Sequence, residues 1–359
     1  MVRILAGGLV VAALAVCACL AAALVPILSS EAGILGIVEL LDRPAALDPT
    51  PVEFTVEPGD DPGTIARRLK EQGLIADERI FRFLASSTGL GTAIQTGQYE
   101  LSRDLTSRAI LEKLARGDVR LRTFTIPEGW QLLQVLEGLE KQGVGSRAAL
   151  EAALAQLTAS PTTGSLAAAR PAGQSLEGYL FPDTYRLSRE ATAAEALQVM
   201  VRQLDEAFSP ELRAAAAARG LTAHQALTLA SIVEREAVKP EEQPIIAAVF
   251  LNRLRLGMPL QADPTVQFAL AQDPARRARD GYWKKDLTVQ DLAIDSPYNT
   301  YRVGGLPPGP ICNPGLGALR AVAFPADVDY LYFVARPDGS HAFARTLAEH
   351  NANVARYQR

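Results

Sequence analysis

Two glutamates close an apolar segment, LTLASIVERE, and are the strongest candidates in this sequence for acid–base chemistry. Glu234 and Glu236 lie two residues apart, about 200° around a helix, so their carboxyls point in different directions. A carboxyl at the edge of apolar surface is partly desolvated, and desolvation raises its pKa until it can donate a proton near neutral pH. Alternatively, both glutamates are solvated at the end of the helix and pair with Arg235 or Lys239.

Other kinds of catalytic site are poorly supported by the sequence. The three histidines, His224, His341 and His350, show no zinc-ligand spacing on one helix, so we expect no metal. A GxSxG nucleophile elbow is absent, and the segment VGGLPPGP has prolines where a phosphate-binding loop needs backbone amides. We therefore expect carboxylate chemistry without a metal or other cofactor.

The elements around the two glutamates are predicted to form a groove. Thr222 is a good N-cap, so a helix should begin there, and its nearly continuous apolar surface predicts a central position in the domain. A second helix is expected from Pro240 to Gly257. The segments 260–270 and 296–315 are rich in Tyr, Asn, Thr and Pro, which is typical of loops that bind sugars by stacking and hydrogen bonding.

Several segments, taken in order, resemble the MltG (YceG-like) family of endolytic murein transglycosylases. They are LEGYLFPDTY, ASIVERE, VFLNRLRLGMPLQADPTV, SPYNTYRVGGLPPGPICNPG, and YLYFVA followed by GSHAF. The resemblance implies that the glutamate directly after ASIV, Glu234, is catalytic, and Glu236 matches a second acidic position of that motif. The substrate-binding positions that it implies are Glu177, Asp183, Glu236, Asp263, Thr265, Tyr298, Asn299, Thr300 and Tyr301.

The resemblance also implies a mechanism in which a single carboxyl acts first as an acid and then as a base. Glu234 would protonate the glycosidic oxygen between MurNAc and GlcNAc, and then take the proton of the MurNAc C6 hydroxyl as it attacks C1 and closes a 1,6-anhydro ring. Cleavage of nascent glycan strands would limit their length. Two alternatives stay open: a hydrolytic muramidase whose second carboxylate, Asp263 or Glu236, lies roughly 5–10 Å away, and a wall-binding scaffold without activity.

The N-terminal segment is predicted to anchor the protein in a membrane. Ile4 to Leu28 is about 25 residues without a charge, and roughly 20 suffice to cross a bilayer. A cleavable signal peptide is one alternative, but its apolar core is usually about 7–15 residues, and no clean A-x-A site closes this stretch. A lipobox ending at Cys17 or Cys19 is another, but the residues before these cysteines fit it poorly. With Arg3 before the span, we expect a cytoplasmic N-terminus and a periplasmic body at the inner membrane.

The chain is predicted to have an α+β fold, and its net charge of −4 argues against nucleic acid as a partner. The family resemblance implies a LysM-like βααβ module at 52–122 and a helix-rich catalytic domain with small β-sheets at 123–359. We assign residues 1–30 to a cytoplasmic stub and the transmembrane helix, and 31–51 to a linker. The expected partners are peptidoglycan glycan strands, the lipid bilayer and peptidoglycan synthases.

One strand–turn–helix unit is predicted to occur twice. FTVEPGDDPGTIARRLKEQG, starting at Phe54, aligns without a gap on FTIPEGWQLLQVLEGLEKQG, starting at Phe124. The phenylalanine, the threonine, the turn glycine, a leucine and the final Gln-Gly match at an offset of about 70 residues. Two copies indicate a duplicated module rather than a repeat array, and chance similarity of two such units is the alternative.

Overall fold

The computed structural model describes residues 42–358, which fall into two compact units. The first unit ends at Arg122 and also includes Ser188–Glu190, and the second unit holds the remainder from Thr123 onward. Among the described residues, no helix has both the length and the apolar character that a membrane span needs. The predicted anchor at Ile4–Leu28 lies outside the described residues.

From residue 42 onward, where the structure describes it, the first unit has a two-stranded antiparallel sheet and three α-helices. Phe54 and Tyr99 are opposite each other in the sheet, and both are fully buried in the core of this unit. The βααβ order expected for the module is present, and its assignment as LysM-like stays a prediction. The elements are β1 (Val52–Val56), α1 (Pro62–Glu71), α2 (Glu78–Ser87), β2 (Gly97–Leu101) and α3 (Ser107–Arg116).

The second unit is rich in helices and contains small two-stranded sheets, so the predicted α+β class is confirmed. Strand β3 pairs with β4, and β5 pairs antiparallel with β6. The elements are β3 (Leu121–Thr125), α4 (Leu132–Lys141), α5 (Arg147–Ala159), β4 (Thr184–Ser188), α6 (Ala193–Ala207), α7 (Pro210–Ala217), α8 (Ala223–Glu236), α9 (Gln243–Arg255), α10 (Asp263–Ala271), α11 (Pro274–Asp280), α12 (Val289–Leu292), α13 (Leu316–Ala323), β5 (Tyr332–Ala335), β6 (His341–Ala344) and α14 (Leu347–Tyr357).

Helix α8 is the central helix of the second unit, as its apolar sequence predicts. Thr222 caps it, with its hydroxyl accepting the N–H of Gln225 at 3.2 Å. Every residue from Ala226 to Val233 is buried, and α8 packs against α7, α9, α10 and α13. The helix predicted from Pro240 begins three residues later, because residues 240–242 form a 3₁₀ turn that leads into α9.

The two copies of the predicted repeat have the same local structure. In each copy a five-residue strand leads through a turn into a ten-residue helix: β1 into α1, and β3 into α4. The turn glycines, Gly59 and Gly129, have φ values of 92° and 74°, a left-handed conformation that favours glycine. The aligned phenylalanines, Phe54 and Phe124, are both buried. The second copy contributes its turn to the candidate site.

Candidate active site

Glu234 lies in the last turn of α8, where the buried surface of the helix ends. Its carboxyl is partly buried, and Oε2 accepts a hydrogen bond of 3.2 Å from the N–H of Gly315. Gly315 directly precedes α13, so this N–H belongs to the positive end of a helix. Burial, followed by the negative charge of Glu128, raises the pKa of Glu234 to about 6, against smaller lowering effects of Gly315 and Arg235. A carboxyl with this pKa can donate and accept a proton near neutral pH.

The loop before α13 is attached to α8 one turn ahead of Glu234. The hydroxyl of Ser231 donates to the carbonyl of Thr228 at 2.7 Å and accepts the N–H of Ile311 at 3.0 Å. The thiol of Cys312 donates to the carbonyl of Ser231 at 3.3 Å. These buried bonds fix the segment that presents the Gly315 N–H to the carboxyl of Glu234.

The turn between β3 and α4 forms another side of the site. The N–H of Gly129 donates to the carbonyl of Asn313 at 2.9 Å, and the N–H of Asn313 donates to the carbonyl of Trp130 at 2.8 Å. A side chain at Gly129 would bring a Cβ within 3.0 Å of Nη1 of Arg235. The carboxylate of Glu128 lies so close to Gly315 that a Cβ on this glycine would overlap it. Glu128 and Glu234 therefore lie beside the same glycine.

An arginine and a tryptophan lie next to the acid. The guanidinium carbon of Arg235 is 4.1 Å from the centroid of the Trp283 ring, a cation–π contact. Arg235 also lowers the pKa of Glu234 slightly. The indole of Trp283 is only partly buried, and an aromatic face of this kind can stack on a sugar ring.

Glu236 faces a different part of the protein, as the spacing of the two glutamates predicts. Its pKa is raised to about 8, first by burial and then by the negative charge of Asp263, while Arg253 lowers it. The hydroxyl of Tyr301 donates to Oδ1 of Asp263 at 2.6 Å. The structure thus brings Glu236, Asp263 and Tyr301 together in one cluster. The alternative in which both glutamates are simply solvated at the helix end is wrong, because both are partly buried and have raised pKa values.

Thr265, Asn299 and Thr300 are buried, and their polar groups bind other groups of the protein. The hydroxyls of the two threonines are 2.9 Å apart, and that of Thr300 accepts the N–H of Ala262 at 3.0 Å. Nδ2 of Asn299 donates to two backbone carbonyls, at 2.9 and 2.8 Å. These side chains hold the loops around the start of α10. Direct contact between them and substrate stays a prediction.

The remaining residues implied by the resemblance have different surroundings. The side chain of Glu177 is buried against the first residue of α4, and its Oε1 accepts the N–H of Leu132 at 2.8 Å. Burial raises the pKa of Glu177 well above the ordinary value. Tyr298 packs on Phe268, with ring centroids 4.8 Å apart. Asp183 is exposed, and its carboxylate accepts the N–H of the next residue. Their roles in binding substrate stay predictions.

A cavity of about 1440 Å³ opens at the opposite end of α8. Its wall includes Thr222 and His224 from the start of the helix and the loop 304–308, and it does not include Glu234 or Glu236. Glu234, the carboxyl whose pKa suits proton transfer near neutral pH, therefore does not line this cavity.

Sequence reasoning missed Glu128, Gly315 and Trp283. Glu128 lies in the repeated segment FTIPEGW, which the sequence showed only as a copy of an earlier turn. The two turns differ in one respect that could have drawn attention: the residue before the glycine is Pro58 in the first copy and Glu128 in the second. A proline in one copy and an acidic residue in the other indicate that the second turn can have a role that the first turn does not have.

Known proteins resemble this chain over most of its length. The model of the YceG-like family matches residues 54–356. An endolytic murein transglycosylase of Bacillus subtilis (strain 168) is 33% identical over 321 residues, which are 86% of this chain and 85% of the relative. A protein of the same name from Streptococcus pneumoniae serotype 2 (strain D39 / NCTC 7466) is 31% identical over 354 residues; the match covers 92% of this chain and 63% of the relative, less than two thirds of that protein.

A solved structure is similar as well. The 2.6 Å crystal structure of a YceG-like protein from Listeria monocytogenes superposes with a TM-score of 0.55 at 31% sequence identity. The superposition covers 85% of this chain and 99% of the other. The family match and the structural match therefore extend over both units of the chain.

Proposed function

Because the chain belongs to the YceG-like family, we propose that it is an endolytic murein transglycosylase, the name that its relatives carry. The observation that supports the chemistry is the state of Glu234. This carboxyl is partly buried at the end of the central helix, and its pKa is raised to about 6. At neutral pH roughly one molecule in ten therefore holds the proton that bond cleavage needs.

In the proposed reaction, Glu234 acts first as an acid. It gives its proton to the glycosidic oxygen between MurNAc and GlcNAc, the bond from this oxygen to C1 of MurNAc breaks, and positive charge develops on the sugar ring. The carboxylate that remains is stabilised by the N–H of Gly315 at 3.2 Å and by the helix end to which this N–H belongs.

Glu234 then acts as a base. It takes the proton of the MurNAc C6 hydroxyl while O6 attacks C1, which closes the 1,6-anhydro ring and returns the carboxyl to its starting state. No water is consumed. The opposing effects on Glu234 suit this cycle, because burial favours the protonated form and the Gly315 N–H favours the carboxylate.

We extend the proposal to the place and purpose of the reaction. The apolar segment Ile4–Leu28 would hold the body at the outer face of the inner membrane, where nascent strands are made. Cleavage within such strands would set an upper limit on glycan length. The LysM-like module at 52–122 would bind the same polymer.

Mass spectrometry of the fragments released from purified peptidoglycan tests the reaction. The parent protein should release fragments with 1,6-anhydro-MurNAc ends, and Glu234→Gln should lower the rate by about 100-fold or more, because the amide cannot donate the proton. Glu206→Gln is the matched control, since Glu206 is an exposed glutamate on α6. Reducing ends from the parent would show a hydrolase instead. Binding without cleavage by the parent and Glu234→Gln alike would show a scaffold.

A further inference from the structure

Glu128 is a second carboxylate at this site that the reaction described above does not use. It belongs to the turn between β3 and α4, and its carboxylate lies against Gly315, the residue whose N–H binds Oε2 of Glu234. Two acidic side chains from distant parts of the chain therefore converge on one backbone position. A negative charge near a second carboxyl disfavours the ionised form of that carboxyl.

The turn that carries Glu128 is held firmly. Gly129 has a φ of 74°, and its N–H is bound to the carbonyl of Asn313, while Asn313 binds the carbonyl of Trp130 through its N–H and through Nδ2. Asn313 is fully buried. Glu128 itself is exposed, so water stabilises its charge while the turn fixes its position.

We propose that Glu128 is the electrostatic partner of Glu234: its charge, held against Gly315, increases the fraction of Glu234 that is protonated before cleavage and favours positive charge on the bound sugar ring during it. This inference rests on the proposed function of Glu234. Two charged groups act on Glu234: Glu128 on the β3–α4 turn raises its pKa, and Arg235 on α8 lowers it. The thiol of Cys312, on the loop before α13, also faces Glu234, and burial and then the charge of Glu234 raise the pKa of this thiol.

The role differs from that of a hydrolase carboxylate. Glu128 would neither form a bond to the sugar nor take a proton from water. Its effect would arise from charge alone, because a fixed negative charge favours both the neutral acid and a cationic ring nearby. Glu128→Gln should therefore slow the reaction without changing the product.

Kinetics of the full chain in detergent, measured across a range of pH, test this role. In Glu128→Gln we expect kcat to fall by about 10- to 100-fold, with KM within about twofold and the anhydro product retained. The fall of activity with rising pH should begin at lower pH, because Glu234 loses its proton more easily without the neighbouring charge. Glu128→Asp should restore part of both effects.

Gly315→Ala provides an independent variant that removes no charge. Its new Cβ would push away the flexible end of Glu128, so the fall of activity should also move to lower pH. Glu206→Gln, which removes one exposed charge on α6, should leave kcat and the pH profile unchanged.

A direct titration of the Glu234 carboxyl tests the proposal even if Glu128→Gln has no measurable activity. The ¹³C signal of the Glu234 carboxyl, assigned by its loss in Glu234→Gln, should titrate about half a pH unit or more lower in Glu128→Gln than in the parent. An unchanged titration would overturn the proposal, and so would a Glu128→Gln enzyme with parental kcat and pH profile. If Glu234→Gln releases no anhydro product, the proposed function of Glu234 stands, whichever result the Glu128→Gln experiments give.

Discussion

At the scale of single residues, two glutamates at the end of one helix acquire different chemistry. Both are partly desolvated, but Glu234 accepts a hydrogen bond from the N–H of Gly315, and its pKa is about 6. Glu236 faces the negative charge of Asp263, and its pKa is about 8. At neutral pH Glu236 therefore stays mostly protonated, whereas Glu234 can move between both states. This difference favours Glu234 as the acid and base, and the substrate-binding role implied for Glu236 stays a prediction.

The raised pKa of Glu236 predicts how stability depends on pH. Because its folded-state pKa of about 8 lies above the ordinary value of 4.5, its contribution is fully present below pH 4.5 and is lost as pH rises toward 8. Glu236→Gln carries no proton to lose. Relative to the parent, we expect this variant to gain about 4 kcal/mol in free energy of unfolding between pH 4.5 and pH 8.

Urea unfolding of both proteins at the two pH values measures that gain. Glu206→Gln, at an exposed position, should follow the parent at both pH values. An equal loss of stability in the parent and Glu236→Gln would contradict the assignment of a protonated, partly buried carboxyl.

At the scale of elements, the turn of the repeated unit makes different contacts in its two copies. In the first copy the turn continues into Asp60, which forms an ion pair of 2.6 Å with Arg68 on α1. In the second copy, the equivalent turn places the carboxylate of Glu128 against Gly315 and places Gly129 next to Arg235 at the end of α8. The duplicated backbone is the same, and the tertiary neighbours decide its use.

The attachment of the loop before α13 to α8 depends on Ser231. In Ser231→Ala the buried N–H of Ile311 loses its partner, which should cost about 1–3 kcal/mol in free energy of unfolding. Cleavage should also slow, because this loop presents the N–H of Gly315 to Glu234. Urea unfolding and initial rates check both effects.

Ser160→Ala is the control for Ser231→Ala, because Ser160 is exposed at the end of α5. It should change stability by less than about 0.5 kcal/mol. If Ser231→Ala were as stable and as active as this control, the bond to Ile311 would not be what positions the loop.

At the scale of the whole molecule, each of the two units has its own hydrophobic core. Domains with separate cores can contribute separate functions. Helix α8 and the residues around Glu234 belong to the second unit, so the proposed acid–base chemistry lies there. The proposed binding of glycan by the first unit, and the proposed anchor before it, would keep the second unit close to its substrate.

The anchor can be tested by fractionation of cells. The full chain should sediment with membranes and resist extraction at high pH, because about 25 uncharged residues can span the bilayer. A chain that starts at residue 42 should remain in the supernatant. Release of the full chain by the same extraction would exclude the anchor.

The sequence by itself determined the features that depend on near neighbours in the chain. These are the cap at Thr222, the apolar circumference of α8, the divergence of Glu234 and Glu236, and the repeated strand–turn–helix. Family motifs added the choice of Glu234.

Only the tertiary structure decided which distant groups meet. Glu128 lies about 100 residues before Glu234, and no local pattern places it beside Gly315. Likewise, Asn299 and Thr300 looked like groove residues, yet the fold buries them against backbone and side-chain partners. Burial and charge pairing arise from contacts between separate segments, so they set the pKa values and the exposure of side chains after the helices and strands have formed.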